Sequence, residues 1–344
     1  MRTRLFVLLG AAALVAAAGF ALAQEGTDDE LWKLATLYFK PLPDAAPNPD
    51  NPVTAAKVEL GKLLYFDARL SKEGNISCNS CHDLATFGVD NLPTSPGDAG
   101  ELGARNSPTV LNAALHGSQF WDGRAGDVEA QAGMPILNPV EMAIPSEQFL
   151  VDRLSQYPDY QERFAAAFPG DDPPLTYLNV SRALAAFERT LLTPSRFDDY
   201  LRGDRDALSA EEKHGLETFL DMGCASCHNG VNVGAHIFRK FGLNESYWQH
   251  TKSARIDEGR FTVTGEKDDK YVFKVQSLRN VAETYPYFHD GSVATLEEAV
   301  QVMSRLQVGM ELEESDVRSV AAFLKTLSGK VPEAARAAPQ AGGK

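Results

Sequence analysis

Cys78-Asn79-Ser80-Cys81-His82 and Cys224-Ala225-Ser226-Cys227-His228 between them hold all four cysteines of this 344-residue chain. In a Cys-x-x-Cys-His pentapeptide the two thiols add across the two vinyl groups of one porphyrin, and the histidine that follows ligates its iron. The pattern reads as two c-type haem attachment sites. A Cys-x-x-Cys pair also serves zinc modules and dithiol redox centres. Zinc modules bring their pairs within about 20 residues of each other, whereas these begin at positions 78 and 224. Neither use requires a histidine directly after each pair. With every thiol given to haem, no disulfide is left to form.

The N-terminus agrees with export. Arg2 and Arg4 precede the apolar run Leu5 to Phe20, and Ala21-Leu22-Ala23 supplies the small residues that a signal peptidase reads. Residues 1–23 are expected to be a signal peptide cleaved after Ala23, which delivers the chain to a bacterial periplasm, where haem is attached to exported chains. The run is short for a spanning helix and is followed at once by Gln24-Glu25-Gly26, so no membrane span is expected in the mature protein. The chain carries a net charge of −14, about −16 once Arg2 and Arg4 are gone. That excess of acid excludes nucleic acid as a partner. It suits a solvated exterior and would steer a basic partner over long range.

The duplicated motif also sets the domain plan, one haem to each of two domains. The expected divisions are an arm over 24–52, a first haem domain over 53–195, a second over 196–330 and a disordered tail over 331–344. Within the arm, Pro41 to Pro52 contains five prolines and reads as extended, while Val331 to Lys344 is an Ala/Pro/Gly stretch without apolar period. The fold class is mainly α. Tyr177, Val180, Leu184, Phe187 and Leu191 form an apolar stripe at helical spacing, stopped by Thr193-Pro194-Ser195. Ser209 with Glu212, and Thr295 with Glu298, match capping boxes, and Gly223 and Gly309 stand where those helices would end. Only Phe261 to Val275, with Gly265 at its middle, reads as a hairpin. The loop from Gly88 to Gly103, with four glycines and two prolines, follows the first motif and is placed to approach its haem.

Five further stretches carry a resemblance. They are Arg105-Asn106-Ser107-Pro108-Thr109, Phe120-Trp121-Asp122-Gly123-Arg124, Asn138-Pro139-Val140-Glu141-Met142, Ser277-Leu278-Arg279-Asn280-Val281 and Pro286-Tyr287-Phe288-His289-Asp290-Gly291. Over nearly its whole mature length the chain resembles the bacterial dihaem cytochrome c peroxidases, whose relatives include MauG. The resemblance implies two cytochrome c-like domains, each with one covalently bound haem c: a peroxidatic haem in the first and an electron-transfer haem in the second. It implies reduction of hydrogen peroxide to two waters, with electrons from a small c-type cytochrome or cupredoxin. Homodimers joined by symmetric contacts are common in the family.

The same resemblance assigns roles to residues. His82 is the proximal ligand of the first haem and His228 the first axial ligand of the second, as the motifs themselves suggest. Met303 corresponds to the second axial ligand of the electron-transfer haem, and a His/Met pair raises the reduction potential. Read by periodicity alone, Met303 is a core residue in line with Leu296, Val300 and Leu306, and Met310 is the next methionine in reach. Glu141 and Gln131 match the pair on the open side of the peroxidatic haem. Splitting the O–O bond requires a proton to pass from one oxygen to the other, a transfer that a carboxylate can relay while an amide stabilises developing charge. Trp121 corresponds to an aromatic between the haems, on the electron path. A calcium ion is implied at Asn106, Thr284 and Pro286, through oxygen atoms. His289 stands in a family motif, and a structural hydrogen bond is the role expected for it.

One position departs from the family. Many relatives carry a histidine that caps the first haem of the oxidised enzyme, where this chain has Asp98 within Ser95-Pro96-Gly97-Asp98-Ala99-Gly100. An aspartate is a poor haem ligand, so the first haem is expected to stay open without prior reduction. His116, His236 and His250 are the other histidines weighed as substitutes. Two further function classes stand beside peroxide reduction: a dihaem electron-transfer cytochrome, and a MauG-like oxidase of a protein substrate. The MauG-like case uses a tyrosine on the second haem, which Met303 opposes, although Tyr285 and Tyr287 lie nearby.

Overall fold

A computed structural model describes residues 28–339. The expected signal peptide, 1–23, lies outside them. Helices dominate, and the one sheet among the described residues is a pair of three-residue antiparallel strands, β1 (Phe238–Lys240) and β2 (Val272–Lys274). Buried apolar side chains gather into two main clusters, one surrounding the first pentapeptide and one the second.

Both clusters are built on the same device, a helix pair crossing at a glycine. In the first, α1 (Ala55–Tyr65) crosses α2 (Tyr177–Glu188) so closely that a Cβ on Gly61 would stand 1.9 Å from the Ala183 carbonyl oxygen. In the second, α3 (Ala210–Asp221) crosses α5 (Glu314–Lys325), and a Cβ on Gly215 would stand 1.8 Å from the Ser319 oxygen. Any larger residue at either glycine would push the helices apart. Between α3 and α5 runs α4 (Leu296–Met303), whose last turn widens into 304–308 with a bond from Gly309 N–H to the Ser304 carbonyl. Of the two expected capping boxes, the first forms in both directions and the second only as the Thr295 cap. Ser209 Oγ accepts from Glu212 N–H while Glu212 accepts from Ser209 N–H, Thr295 Oγ1 accepts from Glu298 N–H, and Gly223 and Gly309 take left-handed φ of +74° and +80°.

Thr193, where the sequence stops the α2 stripe, joins the two clusters. Its hydroxyl accepts from both Asn112 Nδ2 (2.8 Å) and Asn280 Nδ2 (2.9 Å). Arg279, in the same motif as Asn280, forms a fully buried ion pair with Asp198 at 2.7 Å and donates to the Val231 carbonyl. The Ser277–Val281 motif is therefore a structural splice. Breaking such a pair leaves a buried charge uncompensated.

Two expectations fail. The stretch from Phe261 to Val275 is not a hairpin: Phe261–Thr264 is a helical turn closed by Gly265 at φ +72°, and β2 pairs with the distant β1. Gly265 serves as a helix cap here, a role that a left-handed glycine fills as readily as a hairpin turn. The tail is also ordered as far as it is described. Glu333–Arg336 is helical, Val331 and Ala335 are buried in the first cluster, and Lys62 Nζ donates to the Ala334 carbonyl at 2.6 Å. Spaced four apart, Val331 and Ala335 supply an apolar face too short to show as a period. Residues 340–344 lie outside the described ones. The arm is mostly irregular over 41–54, but 28–38 is helical and lays Ala35 and Phe39 into the second cluster.

Glu188 ends α2 in the first cluster, buried within electrostatic reach of Cys78 and Tyr65. Burial pushes its carboxyl up to about 8, with Glu129 adding to the effect and Arg189 opposing it. The folded chain keeps this proton where the unfolded chain has lost it, so stability is full below about pH 4 and falls as the pH rises toward 8. Glu188→Gln removes the loss. Denaturant midpoints of variant and natural chain are expected to coincide near pH 4 and to separate toward pH 8 by on the order of 4 kcal/mol. Coincident midpoints at pH 8 would show that the carboxyl is not held protonated.

Two candidate haem sites and a half-buried acid

Cys224, Cys227, His228 and Met303 line one cavity of about 620 Å³. Gly223 turns the chain out of α3 into a short turn over Cys224–Ser226, and His228 N–H closes it on the Cys224 carbonyl at 3.0 Å. Phe219, Leu296, Val300 and Leu324 give the cavity apolar walls. Burial drives the His228 imidazole down to about 4, which keeps the ring neutral, as a metal ligand must be. Met303 enters from the end of α4. Met310 is 56% exposed and takes no part in the lining. Two thiols, a neutral imidazole and a thioether on an apolar cavity fit a covalent haem with His/Met ligation.

At the first pentapeptide, Cys78–Cys81 form one helical turn, and Ser77 N–H donates to Ser80 Oγ at 3.0 Å. Tyr65 donates its hydroxyl proton to the His82 carbonyl at 2.5 Å, which ties the motif to α1. The His82 ring faces the Gly88 and Pro108 backbone and is held neutral chiefly by burial; its Nδ1 and that of His228 are buried without a hydrogen-bond partner. Gly88, at φ +73°, sits where a Cβ would be 2.9 Å from Thr109 Oγ1, and that hydroxyl donates to the Phe87 carbonyl. The Arg105–Thr109 stretch thus walls the first site, and the donors present fit a second attached haem.

Glu141 lies beside this motif, near enough for its charge to act on Cys81. It lines a small pocket of about 360 Å³ with Phe120, Arg124, Met134 and Asn138. Burial raises its proton affinity, while the Arg124 charge and the Asn138 amide, which donates to Oε1 at 2.8 Å, oppose the rise. A carboxylate of raised proton affinity can take up a proton and give it back. Gln131 is half-buried on the turn Val128–Ala132, which Asp127 caps, and it does not line this pocket. The loop of residues 88–103 closes over the Glu141 segment: a Cβ on Gly97 would stand 1.8 Å from the Val140 oxygen, and Asp98 N–H donates to the Glu141 carbonyl at 2.7 Å. Asp98 itself is buried, with Oδ1 accepting from Glu73 N–H at 2.9 Å and its carbonyl accepting from Asn75.

Trp121, Asn106, Thr284, Pro286 and His289 line the same large cavity as Met303. Trp121 Nε1 donates to the Asn106 carbonyl at 2.8 Å, and its ring meets His289 edge-on at 6.2 Å. His289 stacks on Phe273 at 4.5 Å, but its Nε2 is buried without a partner, so the hydrogen bond expected of the ring is not made there. Among the described residues, no three His, Cys, Asp or Glu side chains gather into a metal cluster. A cation at Asn106, Thr284 and Pro286 would rest on amide and backbone oxygens. His236 and His250 are bound elsewhere, to the Gly234 carbonyl and to Glu245.

The Pseudomonas aeruginosa protein named cytochrome c551 peroxidase is 45% identical over 306 residues, covering 88% of each chain. The chain belongs to the di-haem cytochrome c peroxidase family. The family profile, described as di-haem cytochrome c peroxidase, matches residues 55–206. A cytochrome c551 peroxidase from Nitrosomonas europaea is 46% identical over 283 residues, covering 82% of this chain and 83% of its own. A crystal structure of a MauG-like protein associated with microbial copper homeostasis superposes with a TM-score of 0.77 at 29% identity, covering 87% of this chain and 97% of the other.

For this peroxidase-family chain, several site residues were not read from the sequence. Arg105 is clamped between Asp122 (2.6 Å) and both oxygens of Asp257 (2.6 and 2.9 Å), tying the first-site wall to the 247–260 segment. Arg124 lies 3.4 Å from the Phe120 ring centroid and bonds Asp122. Four of these five side chains belong to the quoted family stretches, which was the available signal. Asp257 carried none.

Proposed function

We propose that the chain is a periplasmic dihaem peroxidase that reduces hydrogen peroxide to two waters, taking two electrons from a small c-type cytochrome or cupredoxin. Residues 53–195 form the peroxidatic domain and 196–330 the electron-transfer domain, each around one buried cluster and one pentapeptide. Bound at the two motifs, the haems supply the redox chemistry, two electrons against two protons and one O–O bond. Everything else falls to the chain. His82 and His228 hold neutral imidazoles for the irons, and Met303 supplies the thioether that favours a high potential on the second.

Glu141 moves the proton. The observation that carries the reading is this half-buried carboxyl of raised proton affinity beside Cys81, on the wall of the small pocket. Asn138 donates to it, the Arg124 charge reaches it, and Gln131 is assigned the amide donor's part. Asp98, occupied by Glu73 N–H, leaves the first haem uncapped. Trp121, edge-on to His289 in the cavity that holds Met303, stands on the path between the haems. No helix among the described residues is long and apolar enough to cross a membrane. The test is peroxide-dependent oxidation of a reduced small cytochrome c by the holoprotein. Turnover that weakens with salt supports the reading, whereas none with cytochrome or cupredoxin donors moves it to electron transfer or to MauG-like oxidation.

Calcium at Asn106, Thr284 and Pro286 would lock the spacing between the two motifs. Asn106 N–H already donates to the His289 carbonyl and its Nδ2 to Leu92. Prolonged chelation is expected to slow electron delivery to the first haem with both haems still attached, and added calcium to restore it. Metal analysis of the purified protein showing no calcium, with rates indifferent to chelator, removes the ion from the scheme.

A further inference from the structure

The large cavity lies in a chain with 47 acidic residues and a net charge of −14, yet no aspartate or glutamate lines it. Its polar lining includes Lys274, His116, Arg239 and His289. Lys274 is 3% exposed. Its backbone is fixed by β2, with N–H donating to the Trp121 carbonyl at 2.7 Å, so the side chain cannot swing out to water. Its ammonium donates to the Ser118 carbonyl at 2.8 Å and lies 3.3 Å from His116 Nδ1, and it has no carboxylate partner among the described residues. The Asp122 charge that reaches it is already held by Arg105 and Arg124. His116 Nε2 is likewise buried without a partner. Arg239 stays exposed at the rim.

A buried ammonium without an anion is costly, and a fold that fixes one at a cavity wall has an anion to meet there. The cofactor read from the second motif brings two carboxylates. We propose that Lys274, with His116 behind it, is the internal counter-ion for a propionate of the haem attached at Cys224 and Cys227. The inference rests on that haem occupying the cavity. Burial alone drives the Lys274 ammonium down to about 7, so a propionate in contact would also restore its charge. A cation at this carboxylate removes negative charge from beside the iron and so favours the reduced haem.

Lys274→Met, Lys274→Arg and His116→Gln holoproteins test it. Haem content by pyridine haemochrome and the masses of the two motif peptides come first. A natural chain without haem on the Cys224 peptide overturns the haem reading itself, and this inference with it. With two haems present, redox titration is expected to show the high-potential haem shifted downward in Lys274→Met, shifted less in His116→Gln and restored in Lys274→Arg. The propionate bending bands in resonance Raman spectra should move in the same order. Selective loss of the second haem in the methionine variant, with retention in the arginine one, also supports the assignment. Should Lys274→Met fail to fold, His116→Gln decides through the Raman bands, which loss of the group behind the contact is expected to move. Potentials and bands that match the natural chain in every variant that folds overturn the proposal.

Discussion

Glu141→Gln is expected to lower peroxide turnover by about 10²- to 10⁴-fold, the usual worth of a positioned proton relay, with both haems attached and their spectra unchanged. Glutamine keeps the shape of the side chain and can still accept from Asn138, so the pocket with Phe120, Arg124 and Met134 should persist. Only the ability to take up and release a proton is lost. Because burial raises the Glu141 pKa, the natural enzyme should lose activity on the acid side at a higher pH than an exposed glutamate would dictate. That limb should be missing from the variant. Removing Arg124, whose charge opposes the rise, should move the limb of the natural enzyme further up. A glutamine variant within about threefold of the natural rate would assign the relay to another group.

The two Cys-x-x-Cys-His motifs were legible because covalent chemistry fixes their spacing. The α2 stripe and the capping boxes were legible because each is a local pattern along one helix. Distant contacts were not. Gly61 and Gly215 each set a helix crossing against a backbone more than a hundred residues away, and a lone glycine within a helix gives no sign of that partner. Gly265 misled for a related reason: its left-handed φ fits a helix cap or a hairpin turn equally, and β1, the partner that decides, is distant in sequence. At the site, Glu141 and Trp121 stand in the quoted family stretches, whereas Met303 was named from the resemblance alone and bare periodicity gave it only a place in the core. Lys274 follows the buried Phe273 on a three-residue strand, and nothing local marks its ammonium as enclosed. Asp257 shows its purpose only once Arg105 is folded against it.

Asp98 gives the sharpest contrast between this chain and the relatives with histidine there. Fully oxidised natural enzyme is expected to turn over peroxide from the first mixing, without lag, and one-electron pre-reduction should add little. The carboxylate is spent on Glu73 N–H, and the Asp98 backbone is tied to Asn75 and to the Glu141 carbonyl, so the loop is pinned as a wall rather than free to reach the haem. Asp98→His removes that anchor and supplies an imidazole on a loosened loop. Activity of the oxidised variant should fall close to zero, with a lag that pre-reduction abolishes. Asp98→Asn, whose amide oxygen can still accept from Glu73 N–H, should remain free of lag. Loss of the buried cap should cost the histidine variant about 1 kcal/mol of stability, too little to unfold it. Paramagnetic resonance supplies the second readout, with a high-spin signal in the oxidised natural enzyme and in Asp98→Asn but only low-spin signals in Asp98→His. A lag in the natural enzyme, or purely low-spin signals from it, would mean that another group caps the first haem. His236 and His250 are bonded to the Gly234 carbonyl and to Glu245, so the search would then turn to His116 and to the loop backbone itself.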